Sequence, residues 1–251
     1  IHRRDARVGE LRMSALVDGY GRVHRDLRVS VTDRCNLRCA YCMPPDFAGW
    51  LPGDHLLSVD ELVLVVDVAV ELGITNVRLT GGEPTLRPDL PEIVRRISRL
   101  ASPPRLSLTT NGLRLADLAG DLADAGLERV NISLDTLDPE RFRRLTFRDR
   151  HADVLAGIEA AIRAGLHPVK VNTVLMRGVN DDEAVTLLRH ALAHGWRLRF
   201  IEQMPLDPSG AWSRDQMVTA EEVLALLSAE FDLTPADGRA EPAAPDCRLW
   251  A

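Results

Sequence analysis

Apolar residues recur along the chain with two alternating periods. Short runs in which every second residue is apolar fall at 27–31 (LRVSV), 76–80 (NVRLT), 105–110 (RLSLTT), 129–134 (RVNISL), 168–175 (PVKVNTVL) and 197–202 (RLRFIE). That is the period of a strand. Between them lie segments with apolar residues three and four apart, the period of a helix. These predict helices over 58–73, 89–100, 115–125, 138–145, 152–164 and 181–193, with a last one over 220–230. Ser58 with Glu61, and Thr219 with Glu222, form capping-box patterns at two helix starts. Gly73, Gly126, Gly165 and Gly195 stand where helices should stop. Strand and helix in strict alternation predict βαβ units, a parallel sheet and right-handed crossovers. The expected fold is α/β, an incomplete parallel (β/α)6-type barrel of the TIM kind.

Strands buried on both faces should be apolar throughout, and these are not. One face carries Val, Leu and Ile. The other carries Arg28, Ser30 and Thr32, then Arg78 and Thr80, Ser107, Thr109 and Asn111, Asn131, Ser133 and Asp135, Lys170 and Asn172, and Arg197 and Arg199. The apolar face must meet the helices, so the polar face points into the barrel. A dry lumen cannot hold unpaired cations, because desolvation costs several kcal/mol per ion. Two arrangements remain: a lumen of mutually satisfied Arg–Asp pairs, or a water-accessible cavity for a polyanion. Cations outnumber carboxylates in this set, which favours the cavity. Phosphate is the anion that arginine clusters suit best.

Composition narrows the class. The net charge is −6 over 251 residues, so the whole-chain field argues against general nucleic-acid or membrane-surface binding, and an anion site must be a local concentration of cations. No apolar run is long enough to span a bilayer and no secretory pattern opens the chain, so a cytoplasmic location is expected. Of 31 Lys and Arg, only Lys170 is lysine. Either coding bias towards arginine left this lysine by chance, or a retained ammonium marks a position where a planar fork would not serve. Trp50, Trp196, Trp212 and Trp250 read as packing residues.

Three of the four cysteines, Cys35, Cys39 and Cys42, lie in one loop, SVTDRCNLRCAYCMPP, directly after the first strand. In such barrels this is the C-terminal mouth, where chemistry is placed. A structural zinc needs four ligands. The fourth would have to be Cys247 or a histidine, and no His pair of zinc spacing lies nearby. A cubane iron–sulfur cluster held by three thiolates keeps one iron open to a substrate, and that fits a loop that stops at three.

The spacing Cys35-x3-Cys39-x2-Cys42, with Tyr41 before the last cysteine, and GGEP at 81–84 resemble the signatures of radical S-adenosylmethionine enzymes. RDLRVSVTDRCNLRCAYCMP, NVRLTGGEPTLRPDL, LTTNG, RVNISLDTLD, VKVNTVLMRGVNDDE and LRFIEQMPLD resemble, segment by segment, the GTP 3′,8-cyclases that begin molybdenum-cofactor synthesis, over roughly residues 17–235. The resemblance implies a 4Fe–4S cluster on Cys35, Cys39 and Cys42. It implies an S-adenosylmethionine site lined by Tyr41, Gly82, Ser133 and Met204, and GTP contacts from Arg28, Arg78, Thr109 and Lys170. The inward polar set adds Arg199. In this family a 5′-deoxyadenosyl radical takes hydrogen from the ribose 3′ carbon of GTP, and the new carbon radical closes onto guanine carbon 8. The implied partners are GTP, a low-potential electron donor and a downstream cyclic pyranopterin monophosphate synthase. A homodimer is compatible, and neither nucleic acid nor membrane is expected.

The chain divides into an N-terminal extension (1–20), the barrel (21–205) and a C-terminal extension (206–251). Family members bind a second cluster through three C-terminal cysteines, whereas here Cys247 alone follows Cys42. These residues by themselves are therefore expected to bind GTP weakly and to cleave S-adenosylmethionine without efficient cyclisation. The competing readings are a related radical enzyme with another substrate, and a catalytically incomplete cluster- or GTP-binding protein.

Overall fold

The structure is a computed structural model that describes residues 15–44, 46–205, 210 and 212–235. Six strands form one sheet in sequence order, every pair parallel: β1 (Asp26–Ser30), β2 (Asn76–Thr80), β3 (Arg105–Thr110), β4 (Arg129–Ser133), β5 (Val169–Val174) and β6 (Arg197–Ile201). β1 and β6 do not pair, so the barrel is open between them. The helices are α1 (Val59–Glu71), α2 (Leu90–Ile97), α3 (Leu115–Asp124), α4 (Pro139–Thr146), α5 (His151–Arg163), α6 (Ala184–His194) and α7 (Ala220–Ser228). Each predicted element is present, with ends displaced by a few residues.

Both capping boxes form. Ser58 and Thr219 accept from the amides of Glu61 and Glu222, whose carboxylates reach back to the cap amides. The helix expected from 181 begins instead with a 3-10 turn, Asp181–Glu183. The Glu183 carboxylate is engaged elsewhere, accepting from Thr136 Oγ1 and the Leu137 amide, and does not cap the turn.

The outward strand residues Val77, Leu79, Leu106, Leu108, Val130, Ile132, Val169 and Val171 are buried against Leu62, Val66, Ile93, Ile97, Leu115, Leu122, Val154 and Ile158 of α1, α2, α3 and α5. Burial of such side chains contributes about 1.5–3 kcal/mol each. This core fixes which face of every strand looks inward. A second cluster of Leu175, Leu187, Val218, Val223 and Leu227 seats α7 on α6 and β6. Among the described residues, no helix is long and apolar enough to cross a membrane.

Candidate functional site at the barrel mouth

The cysteine loop leaves β1 and is bound on two sides. The amides of Gly82 and Glu83 donate to the carbonyls of Thr32 and Arg34, both at 2.7 Å. A Cβ at Gly81 would meet the Thr32 oxygen at 2.3 Å, and one at Gly82 would meet the oxygens of Asp33 and Arg34 at 2.3 and 2.4 Å. The glycines of GGEP are thus required by the approach of two protein loops, whatever ligand they also face. On the other side, the amides of Arg38 and Ala40 donate to Thr146 (3.1 Å) and Leu145 (2.9 Å), the end of α4. Arg38 turns back to the carbonyls of Cys35 and Leu37.

Glu83 is 1% exposed and has no salt-bridge partner among the described residues. Its carboxylate instead accepts from Thr85 N (3.0 Å), Thr85 Oγ1 (2.5 Å), Thr110 Oγ1 (2.6 Å) and Asn111 N (2.6 Å). Asn111 in turn donates to Asn36 Oδ1 at 2.8 Å. GGEP, the TTNG end of β3 and the cysteine loop are therefore one hydrogen-bonded unit. The family resemblance implied a ligand contact at Gly82 of GGEP; the latch role rests on Glu83 and was not visible without the fold.

Within the loop, the amides of Cys42 and Met43 both donate to the Cys39 carbonyl. Cys35 and Cys39 are half-buried and Cys42 is exposed. Burial pushes all three thiols above their ordinary range, and the Glu83 carboxylate for Cys35 and the Asp135 carboxylate for Cys39, followed by the neighbouring cysteines, add to this. All three are thiols until a cation replaces their protons, which is what a thiolate-bound metal centre does. Three soft donors lie within one eight-residue loop in a partly apolar setting, and that donor set fits an iron–sulfur cluster. Among the described residues, no three His, Cys, Asp or Glu side chains converge at the spacing of a single ion.

Tyr41 is tied across the mouth: its hydroxyl donates to Asp135 Oδ2 at 2.6 Å, while Asp135 Oδ1 accepts from Val174 N at 2.9 Å. Burial pushes the Asp135 carboxyl up to about 6. Asp135, Thr32 and Asn111, read from the alternation as lumen residues, lie just past the strand ends and are buried among loop hydrogen bonds. The alternation stops where the strands stop.

The strand register sorts the inward residues into layers. Arg28 lies beside Arg78, Arg78 beside Ser107, and Ser107 beside Arg129. Thr109, Asn131, Lys170 and Arg197 form the next layer, and Ser133, Asn172 and Arg199 the one nearest the mouth. Burial, followed by the charges of Arg28, Arg199 and Arg129, lowers the Arg78 pKa; Asp26 opposes the shift. The Nε of Arg78 and the Oδ1 of Asn172 are buried without a hydrogen-bond partner. At Arg78 the neighbouring guanidinium charges outweigh the one acidic contribution, from Asp26, so this part of the lumen is not a mutually satisfied Arg–Asp pair. Around Arg78, the charges of Arg28 and Arg199 favour an anion. Arg129 shares the inward parity but was absent from the set read off the sequence; extending the alternation to the first residue of β4 would have found it.

The sequence-derived residues are thus gathered on one side of the sheet. Arg28, Arg78, Thr109, Lys170 and Arg199 line the inner face, and Ser133 ends β4. Gly82 is exposed beside the cysteine loop, and Met204, 55% exposed, follows β6 on the far side of the barrel opening. Cys247 lies outside the described residues.

Residues 29–191 match the radical SAM superfamily. The chain is 56% identical over 236 residues to the GTP 3′,8-cyclase of Streptomyces coelicolor, covering 94% of this chain and 69% of that protein. It is 54% identical to the GTP 3′,8-cyclase of Mycolicibacterium smegmatis and 53% to the GTP 3′,8-cyclase 2 of Mycobacterium tuberculosis, in each case covering 94% of this chain and 65% of the relative. It therefore spans about two thirds of the length of these relatives. Streptococcus suis SuiB bound to S-adenosylmethionine superposes with a TM-score of 0.58 at 18% identity, over 70% of this chain and 40% of that one. Methylornithine synthase superposes with a TM-score of 0.59 at 16% identity, over 80% and 60%. At those identities the likeness is one of fold, the partial barrel. On the sequence identities and the superfamily match together, the chain belongs to the GTP 3′,8-cyclase family of radical SAM enzymes.

Proposed function

We propose that the chain acts as a GTP 3′,8-cyclase, converting GTP to (8S)-3′,8-cyclo-7,8-dihydroguanosine 5′-triphosphate in the first step of molybdenum-cofactor synthesis. One observation carries the reading: the three-thiol loop follows β1 and is tied by Tyr41 to Asp135 just after β4, at the end of the sheet whose strands carry the cations. Cys35, Cys39 and Cys42 would hold a 4Fe–4S cluster, and Tyr41, Gly82, Ser133 and Met204 would hold S-adenosylmethionine beside it. The bound cluster supplies the electron that cleaves the sulfonium of S-adenosylmethionine. Arg28, Arg78, Lys170 and Arg199 bind the triphosphate, with Thr109 as a neutral donor in the same face. Arginine suits this task because it cannot give up its charge and bonds phosphate oxygens through a planar fork. Phosphates held deep in the lumen direct the ribose toward the mouth, where hydrogen transfer takes place. The electron comes from a low-potential donor, and the product passes to a cyclic pyranopterin monophosphate synthase. The protein would work in the cytoplasm, as a monomer or a homodimer.

GTP carrying deuterium at the ribose 3′ carbon tests the reading. After anaerobic reduction with dithionite, a minor fraction of the 5′-deoxyadenosine formed in its presence is expected to contain deuterium, since most cleavage by these residues alone is expected to be uncoupled. Unlabelled 5′-deoxyadenosine, formed at an undiminished rate, would remove GTP as the hydrogen donor.

A further inference from the structure

The end of α4 differs from the rest of the surface. Phe147, its C-cap, has φ 56 and ψ 27 and is the only non-glycine residue with positive φ among the described residues. Left-handed backbone is unfavourable for a bulky L-residue. No burial offsets it, since the residue is 47% exposed. Arg143, Arg144, Arg148 and Arg150 around it are exposed as well. Arg143 pairs with Glu140 and Arg150 with Asp153, but Arg144 and Arg148 enter no ion pair among the described residues. Arg148 instead donates to the Phe147 carbonyl at 2.8 Å. A depression of about 450 Å³ opens between Arg143, Arg144, Phe147 and Asp149. Residues 141–150 hold arginine at 141, 143, 144, 148 and 150 against one carboxylate, Asp149, in a chain of net charge −6.

This patch is joined directly to the cysteine loop. The carbonyls of Leu145 and Thr146 accept from the amides of Ala40 and Arg38, the two residues that flank Cys39. One hydrogen bond and a few covalent bonds therefore lead from Phe147 to Cys39. Electron tunnelling falls off exponentially with distance, so a donor must dock where a cluster ligand comes close to the surface.

We propose that the end of α4, with Phe147 at its centre and Arg143, Arg144 and Arg148 around it, is the docking surface for the electron donor, a small acidic one-electron carrier protein. The proposal rests on the reading of Cys35, Cys39 and Cys42 as cluster ligands. The carrier is oxidised by one electron, which the cluster gains; no atom, proton or bond changes hands. The arginines attract an acidic partner over long range in a salt-sensitive way. An exposed aromatic ringed by arginine has the composition of an interface hot spot. Electron-transfer encounters are small, often under roughly 1,200 Å², so a patch of this extent suffices.

The test compares two reductants on the anaerobically reconstituted protein, reading 5′-deoxyadenosine: dithionite, and a reduced acidic plant-type ferredoxin as the probe. In Arg144→Glu/Arg148→Glu, the dithionite-driven rate should stay within about twofold of the parent, while the ferredoxin-driven rate falls roughly tenfold or more and loses its salt dependence. Phe147→Gly suits the backbone, so it should unfold at a higher temperature than the parent and still lose ferredoxin-driven rate. Unchanged ferredoxin-driven rates in both variants overturn the proposal, as does equal loss with both reductants, which marks a structural role. A parent reduced by dithionite but not by ferredoxin overturns it too. A changed oligomeric state with the ferredoxin-driven rate intact makes the face a contact between copies instead. A parent that cleaves nothing under dithionite removes the cluster reading itself, and the docking surface with it.

Discussion

Lys170 is flanked across the sheet by Asn131 on β4 and Arg197 on β5's other neighbour, β6, and is half-buried on the inner face. A compact ammonium fits a layer that already holds a guanidinium; a second fork there must displace a neighbour or withdraw from the anion. Lys170→Arg is therefore expected to weaken GTP binding although the charge is kept. The loss of one charge-assisted contact amounts to about 1.5–3 kcal/mol, roughly ten- to over a hundredfold in Kd by calorimetry. Unchanged affinity would mean that the lysine is an accident of composition. The chemistry of this face was legible before any coordinates, because a period of two assigns each strand residue to one side. What alternation could not tell is how the strands are staggered. That stagger puts Arg28, Arg78 and Arg129 at related depth, and it is set by hydrogen-bond register, which no single strand encodes.

At the scale of elements, the strands and helices carry the loops but the loops carry the site. GGEP lies against the cysteine loop so closely that a methyl group at Gly82 would overlap two carbonyl oxygens. Gly82→Ala should leave the helices and strands in place, with an unchanged far-ultraviolet circular dichroism spectrum. The cysteine loop must shift away, at about 1–3 kcal/mol of strain, and iron bound after anaerobic reconstitution should fall well below the parent. Full iron content in that variant would show that the two loops can part without disturbing the thiols. Helix and strand positions could be read from periodicity and caps because these are local signals. The latch made by Glu83 could not: its partners Thr110 and Asn111 are 27 and 28 residues away, and a buried carboxylate satisfied by neutral donors leaves no pattern in sequence.

For the whole molecule, six consecutive βα units leave a barrel open between β1 and β6, with its helices packed on one apolar face and its cations on the other. This is why the polar alternation and the three-cysteine loop, far apart in kind, describe a single place: strand order brings the loop after β1 over the lumen lined by all the others. The central claim is that Cys35, Cys39 and Cys42 bind a radical-generating cluster at that mouth. Its most direct measurement is 5′-deoxyadenosine formed from S-adenosylmethionine by the anaerobically reconstituted, dithionite-reduced protein, set against Cys39→Ala under the same conditions. The parent should cleave S-adenosylmethionine and the variant should not. Equal cleavage by both would contradict the assignment of the cluster to this loop.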